Sequence, residues 1–103
     1  MGMKTINRCV FCNSTDIVNC NTGNDLFEYY CNNCIDRYFF IFINEYEKET
    51  IDNLQKRKKK KIITWLNENS QFKNSDKYPP IEFHKPITFN NLISITKILD
   101  ENS

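Results

Sequence analysis

The sequence predicts a small, α-rich α+β protein in which an N-terminal four-cysteine finger leads into a long helix or helix pair and ends in a C-terminal helix. Three features predict it: two C-x-x-C pairs, a stretch over 35–69 without proline or glycine, and a second apolar repeat near the C-terminus. With 103 residues, of which 40% are hydrophobic, the chain can bury one small core. A large enzyme with separate cofactor and substrate domains is excluded.

The cysteines carry the clearest chemical signal. Cys9 and Cys12 form one pair, and Cys31 and Cys34 form a second pair after 18 intervening residues. Two such pairs are typical of a structural zinc site with four thiolate ligands. A dithiol redox site and an iron–sulfur cluster are the alternatives, but redox motifs normally accompany a βαβ pattern. We therefore expect one zinc ion that stabilises the fold, with Cys20 left as a free thiol.

The N-terminal part of the chain, less than half of it, resembles a known domain family. Cys9-Val10-Phe11-Cys12 and the later Tyr29-Tyr30-Cys31-Asn32-Asn33-Cys34-Ile35-Asp36 resemble the zinc-binding domain at the N-terminus of the ClpX unfoldase, over about residues 8–46. We expect a treble-clef-like or zinc-ribbon-like finger, and in a treble clef the second pair lies at the start of a helix. The resemblance implies a non-catalytic module that dimerises and binds adaptors and substrates. The ATPase motif of that family, G-x-x-x-x-G-K-[ST], does not occur in this sequence.

The segment after the second pair has helical periodicity. Ile35, Phe39, Phe42 and Tyr46 recur at spacings of 4, 3 and 4, as apolar residues do on one face of a helix. We expect helix over 35–69, with a kink or turn somewhere in 50–58, a loop over 70–87 and a helix over 88–101. The chain would then divide into a finger with the start of its helix, 1–46, and a helical extension, 47–103.

An apolar run inside the predicted helix suggests a partner surface. It is too apolar for one face of a monomeric surface helix, so either the last helix covers it or a protein partner or second copy does. The residues assigned to that partner surface are Tyr38, Phe39, Phe40, Phe42 and Ile43.

Six consecutive cations follow, in a chain that is otherwise mildly acidic. The run consists of Lys56, Arg57, Lys58, Lys59, Lys60 and Lys61, whereas 1–55 holds four basic and eight acidic residues. A solvated helix face, contacts with a phosphate backbone and an acidic protein partner all fit such a run. With only one arginine in the run, any nucleic-acid binding should be nonspecific.

Function and location follow as expectations. The longest apolar run, 38–43, has six residues, whereas a membrane span needs about 20, and the first ten residues lack the core of a secretory signal. We expect a cytoplasmic protein, within a host cell if the AT-biased composition reflects a phage or virus. We find no catalytic set and expect no small-molecule substrate. The leading hypothesis is a non-catalytic adaptor, regulator or inhibitor that captures a protein partner; the alternative is a nonspecific nucleic-acid-binding regulator.

Overall fold

The computed structural model describes residues 5–20 and 25–101. Three strands come first, followed by two helices, a fourth strand and a last helix. Their bounds are β1 Ile17–Asn19, β2 Phe27–Cys31, β3 Phe39–Ile43, α1 Glu45–Asp52, α2 Lys56–Glu68, β4 Lys85–Ile87 and α3 Phe89–Glu101. A single 3₁₀ turn, Ile81–Phe83, precedes β4.

The four strands form one sheet in the order β1-β2-β3-β4. β1 pairs with β2 and β2 with β3 in antiparallel fashion, while β4 pairs with β3 in parallel. Alternate residues of β2 and β3 are buried, and Tyr29 lies opposite Ile41 at the centre of the core, where the two are 0% and 1% exposed. Pro86 is tolerated in β4 because an edge strand needs fewer amide donors.

The predicted fold is wrong in its central element. Residues 39–43 form a strand between two neighbours, not the first turns of a helix. Phe39, Ile41 and Ile43 point into the core, and Phe40 and Phe42 point to the opposite face. A short apolar run of aromatic and β-branched residues satisfies both helical and strand periodicity, and pairing with β2 and β4 decided for the strand. The finger therefore leads into a sheet, and the helices follow it.

The helices begin and end at identifiable signals. Asn44 caps α1, since its side chain accepts from the Glu47 amide at 2.8 Å while the Glu47 carboxylate accepts from the Asn44 amide at 2.9 Å. The helical conformation is interrupted over 53–55, inside the predicted turn region, and α2 starts at Lys56. Thr88 and Asn91 form a similar reciprocal pair at the start of α3, so that capping side chains position two of the three helices.

One hydrophobic cluster joins the two halves of the chain. It contains Ile6, Phe11 and Ile41 from the first half and Leu66 and Ile95 from the second, and β4 adds its edge to β3. Residues on both sides of the predicted boundary at 46 thus contribute to the same core. Within the described residues, no helix combines the length and the apolar character that a bilayer crossing requires.

Replacing the cap of α1 should destabilise the fold without touching the core. Asn44→Ala removes the bond that the Asn44 side chain accepts from the Glu47 amide, although the Asn44 backbone amide can still donate to the Glu47 carboxylate. The loss should lower the free energy of unfolding by about 1 kcal/mol. Urea unfolding followed by circular dichroism measures this change. Asn90→Ala, at an exposed position in the first turn of α3, is the matched control and should leave the midpoint nearly unchanged. Equal midpoints for the two variants would contradict the role of Asn44.

Candidate metal centre

Four cysteine sulfurs converge at one point. The Sγ atoms of Cys9, Cys12, Cys31 and Cys34 all lie within 4.8 Å of one another, and the pairs Cys9–Cys34, Cys12–Cys31 and Cys31–Cys34 are each 3.6 Å apart. A tetrahedral ion with metal–sulfur bonds of about 2.3 Å needs sulfur–sulfur edges of about 3.8 Å. A disulfide needs about 2.05 Å, and all four thiols are free. The cluster therefore fits a four-coordinate metal site.

The first C-x-x-C pair lies in a tight turn that the sequence builds locally. The Asn13 amide donates to the Cys9 carbonyl at 2.9 Å, and the Cys9 amide donates to the Ser14 carbonyl at 2.9 Å. Asn13 adopts a left-handed φ of 63°, which asparagine tolerates better than most residues. The Phe11 amide donates to the Cys9 sulfur at 3.4 Å, a bond that offsets thiolate charge.

The second pair lies at the end of β2. Cys31 is the last residue of the strand, and the Asn33 amide donates to its sulfur at 3.4 Å. The side chain of Asn67, on α2, then clamps the following turn: its Oδ1 accepts from the Asp36 amide and its Nδ2 donates to the Cys34 carbonyl, both at 2.8 Å. A turn and β3 follow Cys34, so the predicted treble clef, with a helix beginning at the second pair, is wrong.

Tyr29 supports the cluster from within the core. Its hydroxyl accepts from the Val10 amide at 3.0 Å and donates to the Cys9 sulfur at 3.4 Å. Burial raises the pKa of this phenol well above its usual range, so the hydroxyl keeps the proton that it donates. Because Tyr29 and Cys31 lie two residues apart on β2, both point to the same buried face. Tyr29 can therefore orient Cys9 and stabilise negative charge on its sulfur.

Hydrogen bonds among the sulfurs separate the pKa values of three thiols. Bonds from Cys34 and Cys9 lower the pKa of Cys31 far below its usual value. The bond with Cys31, together with burial, raises the pKa of Cys9 to about 11, and the bond with Cys31 also raises the pKa of Cys34. The lowered pKa of Cys31 and the raised pKa values of Cys9 and Cys34 favour negative charge on Cys31 and protons on the other two. A divalent cation must displace those protons, so its affinity should rise with pH.

Cys20 is separate from this cluster. It follows β1, and its sulfur donates to the Val18 carbonyl at 3.5 Å. Burial raises the pKa of its thiol. The grouping of possible metal ligands within the described part of the chain contains the other four cysteines and not Cys20.

The residues predicted to form a partner surface do not share one face. Tyr38, Phe39 and Ile43 are buried in the core. Phe40 and Phe42 lie half-buried on the other side of the sheet, where the Phe40 ring is 5.6 Å from that of Tyr30. The fold brings together two of the five residues and buries the other three in the hydrophobic core.

An aromatic and cationic cluster borders that second sheet face. The Tyr30 hydroxyl is hydrogen-bonded to Nδ1 of His84, whose Nε2 atom lies 2.8 Å from the Pro79 carbonyl oxygen. The Arg37 guanidinium lies 4.0 Å from the centre of the Tyr78 ring. These contacts tie the loop before β4 to the sheet, which is a structural role for His84.

The predicted basic run lies on α2 and splits into two groups. Lys58 pairs with Asp100 at 3.8 Å, and Lys59 donates to the Asp52 carbonyl at 3.2 Å. The other four cations are exposed and, at positions i, i+1, i+4 and i+5, share one side of the helix. We call them the cationic face: Lys56, Arg57, Lys60 and Lys61.

The cationic face adjoins the four-cysteine cluster across a cleft. This knuckle cleft has a volume of about 790 Å³ and is lined on one side by Cys9, Cys12 and Cys34 and on the other by α2. Lys56, Arg57 and Lys60 of the cationic face line it. The cysteines and the basic run were both predicted from the sequence, but no local pattern indicated that they lie next to each other.

Two supporting residues were missed by sequence reasoning. Tyr29 could have been found, because its spacing from Cys31 predicts a shared face once residues 27–31 are recognised as a strand. Asn67 carried no such signal, since it acts on residues more than 30 positions earlier in the chain. Its role depends entirely on where α2 packs.

Removing the Tyr29 hydroxyl should weaken metal binding. Tyr29→Phe deletes the bond to the Cys9 sulfur and leaves the Val10 amide without its acceptor, and we expect the dissociation constant for Zn²⁺ to rise by about tenfold or more. Competition against a chromophoric chelator measures it. Tyr46→Phe, at a side chain that is 74% exposed, is the control and should bind as the unmodified protein does. An unchanged affinity in Tyr29→Phe would show that the hydroxyl does not support the cluster.

Comparison with known proteins adds no identification. No protein-family model, no curated protein and no solved structure matches the chain. The resemblance to the ClpX-type domain therefore stays a prediction from the ligand spacing and Phe11.

Proposed function

We propose that this protein is a non-catalytic zinc module that binds the phosphate backbone of nucleic acids without sequence specificity. The observation that carries the proposal is the cationic face of α2, four exposed basic side chains on one side of a helix next to the four-cysteine cluster. Phosphate contacts from clustered lysine and arginine supply most of the affinity of nonspecific nucleic-acid binding.

The metal in this proposal is zinc, and its role is structural. Four cysteine sulfurs, with three of their separations at 3.6 Å and all within 4.8 Å, match the tetrahedral, sulfur-rich coordination that zinc adopts in structural sites. Four protein ligands fill all four coordination positions, so no position is left for water or substrate. Cys9, Cys12, Cys31 and Cys34 would hold one ion between the turn before β1, the end of β2 and the turn that Asn67 clamps. Its binding would contribute directly to folding.

The cations have a second electrostatic role in this arrangement. A zinc ion with four thiolates carries a net charge of about −2, and the cations that line the knuckle cleft offset part of it. Lys61 does not line that cleft, and the cationic face as a whole is exposed to solvent. This surplus of exposed positive charge is what favours a polyanionic ligand.

Interaction with a protein, including a second copy of this chain, is the other candidate function. Ile81 is 85% exposed and Tyr78 is 70% exposed, both in the segment before β4. The Arg37 guanidinium contacts the rings of both Tyr78 and Tyr30. Exposed large apolar side chains favour a partner surface. Salt separates the candidates, since phosphate binding weakens steeply as salt rises and an apolar interface does not.

We also propose that the protein works in the cytoplasm. Free thiols arranged for a metal suit a reducing compartment, where disulfides rarely persist.

Serine substitutions should distinguish the four ligands from Cys20. Loss of any one of Cys9, Cys12, Cys31 or Cys34 should reduce the bound metal well below one ion per chain and lower the thermal stability, because the remaining three thiolates leave the site open. Cys20→Ser is the matched control and should retain one ion. Elemental analysis and the thiolate-to-metal absorption of the Co²⁺-substituted protein measure both. Full metal content in all five variants would contradict the site.

Neutralising part of the cationic face should weaken duplex binding in a salt-dependent way. Lys60→Gln with Lys61→Gln should lower the affinity for a short DNA duplex and flatten the slope of log K against log salt concentration by about 1.8, or about 0.9 for each lost phosphate contact. Fluorescence anisotropy at several salt concentrations measures the slope.

The control for that experiment is Lys73→Gln with Lys77→Gln, which removes the same charge from exposed positions outside α2. It should leave the slope nearly unchanged. Equal slopes in both double variants would mean that only net charge matters, and no binding by the unmodified protein would overturn the proposed function. Metal content is measured in parallel, because Lys60 also lines the knuckle cleft.

A further inference from the structure

A second cleft lies along α2 beside the cationic face. This tryptophan cleft, with a volume of about 500 Å³, lies between α2 and the end of α3. Arg57, Lys60 and Lys61 line it together with Trp65 and Leu99. The volume lies within the usual range of small-ligand sites, roughly 300–1,000 Å³. Arg57 and Lys60 therefore border both clefts, and a ligand that follows α2 passes from one to the other.

The indole of Trp65 presents an aromatic surface in this cleft. Trp65 is half-buried and packs against the hydrophobic core, while it also lines the tryptophan cleft. Its attachment to the core restrains the ring. A restrained, partly exposed indole beside cations is the combination that proteins use to stack a nucleobase and hold its phosphate.

The spacing along α2 suits one nucleotide. Lys61 precedes Trp65 by four residues, so their side chains are neighbours on the same side of α2, and both line the cleft. Glu68 lines the same cleft beyond Trp65. The Glu68 carboxylate repels phosphate. We therefore place the phosphate near Arg57 and Lys61, and the base over the indole of Trp65.

We propose that the nucleic acid bound by the cationic face is single-stranded, with one unpaired base stacked on Trp65 and the adjoining phosphates held by Arg57, Lys60 and Lys61. This inference rests on the proposed function and adds a strand preference to it. A duplex hides both faces of each base within its own stack, so only an unpaired base can use the indole. The positive charge of the cleft rim complements phosphate, which is why we assign it a nucleotide and not a neutral ligand.

The chain contains a single tryptophan, so its fluorescence reports on this cleft directly. The zinc-loaded full chain is titrated with a labelled oligothymidylate and with a duplex that carries the same number of phosphates. We expect tighter binding of the single strand by roughly 5- to 150-fold per stacked base, together with quenching of Trp65 emission. The duplex should bind with little quenching.

Variants test the ring separately from the charge. Trp65→Leu should abolish the preference for the single strand and leave duplex affinity unchanged, while Trp65→Phe, which keeps a ring and fills more of the space, should retain part of the preference. Glu68→Gln, at an exposed position, should raise single-strand affinity severalfold without disturbing the core. Tyr46→Leu is the control for loss of an exposed aromatic residue and should change neither affinity.

The outcomes separate this inference from the proposed function. Equal affinity for strand and duplex with unquenched Trp65 would overturn the inference and leave phosphate binding in place. Binding of neither would overturn both. Thymidine monophosphate distinguishes a free nucleotide from a strand: if it binds as tightly as the oligonucleotide and quenches Trp65 equally, the cleft is a mononucleotide site and the single-strand proposal is wrong.

Discussion

The constraint around which the described residues are arranged is the approach of four cysteine sulfurs to within 4.8 Å of one another. Like charges at this distance repel strongly, and the hydrogen bonds with Cys31, together with burial, raise the pKa values of Cys9 and Cys34. A metal ion bound to all four sulfurs would offset this repulsion and would join the turn before β1 to the end of β2. The amides of Phe11 and Asn33 and the hydroxyl of Tyr29 all donate to sulfur, so the protein provides hydrogen-bond donors for negative charge at the cluster.

The sheet connects this centre to the helices. Tyr29 contacts the metal ligands through its hydroxyl while its ring packs in the core opposite Ile41. On the other side, Asn67 extends from α2 to the turn after Cys34. These two residues couple the position of α2 to the geometry of the cysteines. As a result, the basic side chains of α2 stand next to the thiolates across the knuckle cleft, and the same helix carries Trp65 on its other flank.

The division of the basic run has a simple physical origin. Six consecutive residues on a helix point in all directions, and the core takes only the side that carries Ile62 and Leu66. The two cations nearest that side, Lys58 and Lys59, bond to Asp100 and to the Asp52 carbonyl. The remaining four are left together on the solvent side. The basic run therefore presents four of its six positive charges on one side of α2.

The sequence by itself predicted the cluster of four cysteines, because two residues between paired cysteines let a tight turn aim both sulfurs of a pair at one point. The meeting of the two pairs depends on the tertiary structure. The sequence also predicted the helix near the C-terminus, because the apolar repeat there is long enough to fit helical periodicity and not the alternation of a strand. Residues 39–43 were different. A run that short fits a helix or a strand equally well, and hydrogen bonds to β2 and β4 decided between them. The same long-range pairing buried Tyr38, Phe39 and Ile43 and brought α2 against the cysteines, since no local pattern encodes which distant segment a strand or a helix meets.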